Sequence, residues 1–283
     1  VSEVTELEPT YLRELARAWL AEDIGRGDRT SVAVVPIDMQ GRARIEARTG
    51  GVIAGLPVAA AIFTQVDDCK WFPELSEGTR ADPGVVLARV EGRMRAVLAA
   101  ERTALNILQR LSGVATVTAG YVEAVAGTRA RIVDTRKTTP GLRVLEKYAV
   151  TVGGGSNHRF GLDDGILVKD NHIFAAGGVF EATRRAVEGA PHGLLVEVEV
   201  GDLKELRQAI DAGAQAVLLD NMTPDEIASA VEVSGRRVIL EASGGIELRN
   251  VREYAEAGVD LISVGALTHS APALDISLEV EIE

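Results

Sequence analysis

The alternation of apolar and polar positions changes character once, near the middle of the chain. Leu12, Leu15, Ala16, Trp19 and Leu20 recur at helical spacing and predict an amphipathic helix over 9–22, stopped by Gly25, Gly27 and Asp28. From Arg42 to Pro73 the pattern turns to strand, turn and helix. Gly50-Gly51 marks a turn between two short strands, and 59–66 reads as a short apolar helix. Residues 78–90 have period-two character around a Pro83-Gly84 turn. Leu98, Leu105, Leu108 and Leu111 share one face of a helix over 93–111. Residues 1–115 therefore predict a mixed α/β domain with an antiparallel sheet.

Beyond a helix near 116–125 the rhythm becomes strand then helix, repeated. The predicted strands are 131–133, 166–168, 195–200, 216–219, 238–240 and 261–264. The helices between them are 141–151, 179–189, 202–212, 224–233 and 247–257. Pro140 and Pro224 suit first helical turns, and Gly213 and Gly258 suit C-terminal ends. Alternating β and α units imply a parallel sheet. The last run, 274–280, alternates fully and is expected to return as an antiparallel strand to the N-terminal sheet. The domains expected are thus 1–115, joined by 270–283, and 116–269. All six strands end in polar or charged groups: Asp134/Arg136/Lys137, Lys169, Glu199, Asp220, Glu241/Ser243 and Ser263. An open sheet uses a few central strand ends at its switch point, whereas a barrel turns every strand end toward one mouth. Chemistry at every strand end favours the barrel. Its roughly 150 residues fall short of the usual ~250, so fewer than eight strands or incomplete closure is expected.

Composition narrows the function classes. Aromatic residues are 4% of the chain against 46% apolar in total, so the core must be Ala, Val, Leu and Ile. Cys69 is the single cysteine, which excludes an internal disulfide and a cysteine metal cluster and fits a reducing cytoplasm. Residues 1–6 lack the basic and apolar regions of a signal peptide, and no apolar run reaches membrane-spanning length. A net charge of −12 with so few aromatics argues against nucleic-acid binding. Against that background, 131–172 holds seven Lys/Arg to five Asp/Glu. A cationic pocket in an anionic chain points to a small, multiply charged anion.

The basic candidates are Arg102, Arg136, His158, Arg159 and Lys169, since several guanidinium groups are needed to hold a dicarboxylate. The acidic candidates are Glu199, Asp220 and Glu241, a set that serves sugar hydroxyls or Mg²⁺. Ser243-Gly244-Gly245, opening the helix at 247, and Gly265-Ala266 form a candidate phosphate cradle at late strand ends. Glu101 and Arg102 sit on or beside the leucine stripe, where a charged pair needs local pairing, a pocket or a subunit interface. His158, His172, His192 and His269 lack metal-ligand spacing, and neither dinucleotide nor P-loop fingerprints are present. A Ser-His-Asp arrangement is likewise not readable.

Glu101-Arg102-Thr103-Ala104-Leu105-Asn106, Asp134-Thr135-Arg136-Lys137-Thr138, Gly153-Gly154-Gly155 with Asn157-His158-Arg159, Lys169-Asp170-Asn171-His172, Glu197-Val198-Glu199-Val200, Leu219-Asp220-Asn221 and Ser243-Gly244-Gly245 together resemble quinolinate phosphoribosyltransferase. The resemblance runs in order over nearly the whole chain. It implies an N-terminal α/β sandwich and an open, seven-stranded α/β barrel, one strand more than the periodicity shows. It implies transfer of phosphoribosyl from phosphoribosyl pyrophosphate to quinolinate with decarboxylation, giving nicotinate mononucleotide for NAD biosynthesis. Arg102, Arg136, Arg159 and Lys169 would neutralise the two carboxylates with His158 nearby. Lys137 and Mg²⁺ would stabilise pyrophosphate. Glu199 and Asp220 would hold the ribose hydroxyls and the metal shell, and Ser243, Gly244, Gly245 and Gly265 the phosphate. Lys137, Lys169, Glu199 and Asp220 are the catalytic candidates. The family also implies a homodimer with shared sites, in which Arg102 completes a neighbour's cavity. Two alternatives stay open: a same-fold enzyme with another acceptor, and a non-enzymatic barrel that binds a phosphorylated ligand.

Overall fold

The structure is a computed structural model that describes residues 7–66 and 69–281. Residues 1–6, read above for leader character, and residues 282–283 of the closing segment lie outside the described residues. In chain order the elements are α1 (Pro9–Ile24), α2 (Arg29–Val34), β1 (Gln40–Ala47), β2 (Gly51–Val52), α3 (Leu56–Gln65), β3 (Lys70–Pro73), β4 (Arg80–Ala81), β5 (Val86–Arg93) and α4 (Met94–Ala124). There follow β6 (Arg131–Val133), α5 (Arg143–Val152), β7 (Ile166–Val168), α6 (Asp170–Ala176), α7 (Val179–Gly189), β8 (Val196–Val200), α8 (Leu203–Asp211) and β9 (Ala216–Asp220). The last are α9 (Pro224–Ser234), β10 (Ile239–Ser243), α10 (Val251–Glu256), β11 (Leu261–Ser263), α11 (Ala266–His269) and β12 (Ile276–Glu281).

The chain divides into two compact units, one of residues up to 117 with 145–154 and the segment from 271, the other of 118–144 and 155–270. The first unit holds an antiparallel sheet of order β12-β1-β5-β3. As the alternation predicts, β12 returns to this sheet, with Ile276 opposite Ala47 and Glu281 opposite Arg42. α1 packs on α3, burying Leu12, Ala16 and Leu20 beside Ile62 and Phe63. Phe63 stacks on Trp71 with ring centroids 5.7 Å apart.

α5, expected with the repeating units, lies in the first unit instead. Two buried polar links hold it there. Glu146 accepts from Arg110 at 2.7 Å, and the Tyr148 hydroxyl donates to Glu77 at 2.8 Å. Glu77 also accepts the Gly55 and Leu56 amides that open α3, and its burial pushes its carboxyl above the usual range.

α4 corrects the expectation of separate helices at 93–111 and 116–125: it is continuous over 31 residues. Gly113 does not break it, because a Cβ there would lie 2.0 Å from the Pro272 carbonyl oxygen, and glycine is what permits that approach. The buried face of α4 follows Met94, Val97, Ala100, Ala104, Leu105, Leu108 and Leu111, leaving Leu98 half-buried. Arg102 therefore stands off the stripe, with its side chain 62% exposed, and the burial expected for it is not found in the single chain.

The second unit carries a parallel sheet of order β6-β11-β10-β9-β8-β7 among the described residues, each strand within a few residues of its predicted place. The described residues form six strands where the resemblance implies seven, and one isolated bridge lies beside them. Ser156 pairs parallel with Val133 on the free edge of β6, through Ser156 N to Ile132 O at 2.9 Å and Asp134 N to Ser156 O at 3.2 Å. A single residue has no alternation to read. α5 starts at Arg143, so Pro140 lies in the turn before it, where Gly141 takes a left-handed φ of 82°. α10 starts at Val251, so the Gly244-Gly245 turn is followed by a further turn and not by the expected helix at 247. The short α2, α6 and α11 fall below the length at which periodicity is legible.

Candidate active site

The strand ends of the second unit surround a cavity of about 710 Å³. Arg136, Lys137, His158, Arg159, Lys169, Glu199, Asp220, Ser243, Gly244, Gly245 and Gly265 all line it. The period of a strand explains the convergence. Glu197 and Glu199 on β8, Leu218 and Asp220 on β9, and Glu241 and Ser243 on β10 are same-face pairs two residues apart. Ser243 is in register with Asp220, and Glu241 with Leu218, so both neighbouring strands present the same level. Arg102, the remaining candidate, belongs to the first unit and does not line the cavity.

Asp134 at the end of β6 is fully buried and clamps the loop that follows Ser156. Its carboxylate accepts the His158 amide at 2.9 Å and the Asn157 side chain at 2.6 Å. The Thr135 hydroxyl accepts the Lys137 amide at 3.1 Å, a local turn at the root of Arg136 and Lys137. Thr268 donates to the Lys137 carbonyl at 2.8 Å and pins the turn from β11's side. Gly265 leaves space there: a Cβ would sit 3.1 Å from Lys137 Cδ and 3.2 Å from the His269 ring. Gly244 is required more strictly. It has φ 92°, and a Cβ would lie 2.2 Å from Asn221 Oδ1. Asn221 itself is left-handed at φ 55° and donates to Asp220 at 2.7 Å.

The charges fall into three arrangements. Lys169 Nζ pairs with Glu199 at 2.7 Å. Arg136 and Arg159 form an unbalanced cationic pair. Arg159 donates one bond to the Gly165 carbonyl at 2.8 Å, yet the buried Nε of each arginine has no acceptor. Burial first, and then the like charge of Arg136, push Arg159 below the usual guanidinium range, against Asp164 and Glu197. At the floor, His158 meets Glu197 at 3.0 Å and Glu241 at 3.7 Å. Its Nδ1 accepts the Arg159 amide N–H at 2.7 Å, which leaves the ring proton on Nε2. Both ring nitrogens of His158 are thus engaged within the chain. Burial and the neighbouring Glu197 raise the Glu241 carboxyl to about 7, against His158 and Lys169. The Ser263 hydroxyl lies near enough to oppose that rise without reaching hydrogen-bond geometry.

Sequence reasoning missed the structural parts of Thr135, Glu197, Asn221 and His269. Glu197 was findable, one pleat period below Glu199. The others act through loops whose course only the fold defines. His172, part of a sequence motif, is exposed and turns back to cap α6: the Lys169 amide donates to its Nδ1 at 2.9 Å. Among the described residues, His158, Glu197 and Glu241 are the cluster with ligand atoms close enough for a metal, within 4.8 Å of one another. Glu199 and Asp220 belong to no such cluster.

Comparison with known proteins agrees over both units. Residues 28–112 match the sequence model of the quinolinate phosphoribosyl transferase N-terminal domain, and 114–279 that of the C-terminal domain. A probable carboxylating nicotinate-nucleotide pyrophosphorylase of Synechocystis sp. is 46% identical over 93% of this chain and 90% of its own. The human carboxylating nicotinate-nucleotide pyrophosphorylase is 43% identical over 97% and 93%. The crystal structure of NadC from Streptococcus pyogenes superposes with a TM-score of 0.94 at 40% identity, covering 98% of this chain and 99% of that one. With family models matching most of the chain in order, this protein belongs to the quinolinate phosphoribosyltransferase family.

Proposed function

We propose that the cavity joins quinolinate to phosphoribosyl pyrophosphate and releases CO₂ and pyrophosphate, leaving nicotinate mononucleotide for NAD synthesis. The observation that carries this is the Arg136–Arg159 pair, two mutually repelling cations with buried donors that lack acceptors. A dicarboxylate supplies charge and acceptors together. Lys169 adds a third cation, held by Glu199 until a ligand competes for either partner. Glu199 and Asp220, at the ends of adjacent strands, suit the hydroxyls of a ribose, and Lys137 with Ser243 to Gly245 and Gly265 suits its phosphates.

The donor parts from pyrophosphate through an oxocarbenium-like state, and the ring nitrogen of quinolinate bonds to the ribose carbon. The C2–carboxylate bond then breaks, its electron pair drawn toward the N-ribosylated pyridinium. The chain contributes positioning and fixed charge. Glu199 is taken by Lys169 and Asp220 by Asn221, and neither belongs to a three-ligand cluster among the described residues. That donor set fits Mg²⁺ carried in on the pyrophosphate, with Glu199 and Asp220 reaching its water shell, better than a resident ion. Such an ion would spread the charge of the leaving group. Incubating the protein with quinolinate, the donor and Mg²⁺ tests the reading: CO₂ and nicotinate mononucleotide are expected in equal amounts, and neither forms if it is wrong.

We infer further that the working form is a homodimer in which Arg102 of one chain enters the cavity of the other. Arg102 is largely exposed and meets Glu101 only at 3.7 Å, so it is available to an anion outside its own chain. Mixing inactive Arg102→Ala protein with inactive Lys169→Ala protein is expected to restore activity, since some heterodimers carry one intact site. Tagged wild-type chains must first show exchange. No rescue after proven exchange refutes sharing.

A further inference from the structure

Glu197, Glu241 and His158 form a cluster at the cavity floor that the proposed reaction leaves without a part. Glu241 is 1% exposed, lines the cavity, and has no hydrogen-bond partner among the described residues for either oxygen. The Arg159 amide occupies His158 Nδ1, so the ring holds one proton, on Nε2, aimed at Glu197 at 3.0 Å with Glu241 at 3.7 Å. A metal-bound Nε2 could not make that donation. One proton therefore serves two buried carboxyl groups. Two ionised carboxylates side by side out of water repel strongly, and a second ring proton would cost the amide bond. The groups facing Glu241 are Glu197 on β8, His158 from the bridge loop, Lys169 after β7 and the Ser263 hydroxyl on β11, while β9 presents Leu218. Neither His158, at 3.7 Å, nor Lys169 reaches hydrogen-bond distance of it.

We propose that Glu241 is a specificity-determining residue: a neutral carboxylic acid whose proton keeps the acceptor pocket cationic enough to hold a dianion. Ionisation of Glu241 adds a negative charge facing Lys169, in the cavity that Arg136 and Arg159 also line, and weakens quinolinate binding. The direction agrees with the rise of its carboxyl to about 7. The effect on affinity rests on the quinolinate reading; the proton itself does not.

Two measurements on the full chain test it. Calorimetric titration of wild type with quinolinate should show affinity falling by on the order of tenfold from about pH 6.5 to about pH 8.5, the scale of one nearby charge in a partly screened site. Glu241→Gln, which mimics the neutral acid, should abolish that slope. A flat wild-type profile, or a wild-type slope retained in Glu241→Gln, overturns the proposal. Infrared difference spectra of the unliganded protein should show a protonated-carboxyl band at the lower pH that fades at the higher and is missing in Glu241→Gln. Absence of that band in wild type at the lower pH overturns the proposal whether or not quinolinate binds. If the band is present and quinolinate binds at neither pH, the acceptor reading is refuted while the proton on Glu241 stands.

Discussion

Two sets of arginines in this chain meet opposite fates. On the four-stranded sheet, Arg44 bonds Glu46 at 2.9 Å and Arg89 bonds Glu281 at 2.8 Å and Glu74 at 3.1 Å. Those partners hold both guanidinium groups above their ordinary range. In the cavity, Arg159 is driven the other way by burial and by Arg136, and both arginines keep a buried donor unmet. A cation whose partner lies in its own chain belongs to the fold. A cation whose partner is missing is addressed to something the chain does not contain. The ladder is exposed and screened by water, so it supports the sheet only modestly. The cavity pair is costly to the empty protein and gains when an anion arrives.

Breaking the cavity pair should have the largest effect. Arg159→Ala is expected to lower kcat/KM for quinolinate by roughly a thousandfold, the scale of truncating one partner of a buried charged contact. Its melting temperature should change little, because a half-buried cation with one unmet donor is removed together with its bond to the Gly165 carbonyl. Kinetics beside a thermal melt check both, and a marked fall in melting temperature would assign Arg159 to structure. Next in size is the acceptor. Nicotinic acid, with one carboxylate, leaves part of the cationic set unpaired and should react at least about a hundredfold more slowly than quinolinate. Comparable turnover of the two acids would dissolve the contrast between the regions. The smallest effect is reserved for the ladder. Arg89→Ala should slightly lower the melting temperature and change quinolinate affinity by less than about twofold, as an exposed pair does. Raising the salt concentration should shrink even that difference.

The strands of the second unit were legible because each buries a short apolar run and stops at a polar residue, as at Leu167, Val168 and Lys169. For the same reason most of the cavity lining could be named from strand ends. Glu197 and Glu241 were harder to interpret. A carboxylate in a strand gives no sign of whether it meets water, a cation or another carboxylate until its neighbours across the sheet are known. Arg102 was misread for a related reason. Sequence spacing placed it beside four leucines, but the face of α4 that packs is centred on Val97, Ala104 and Leu108.

Sequence alone determined the order of elements in the repeating unit, the return of the last strand and the residue types gathered around the anion. Those follow from local periodicities of two and 3.6 and from turn residues that act within a few positions of themselves. Tertiary structure decided the rest. It set the isolated Val133–Ser156 bridge beside β6, sent α5 to the first unit through Glu146 and Tyr148, and brought His158, Glu197 and Glu241 together from three distant segments. Each depends on which chain segments become neighbours in space, and burial, which raises the Glu241 carboxyl and lowers the Arg159 guanidinium, exists only after they do.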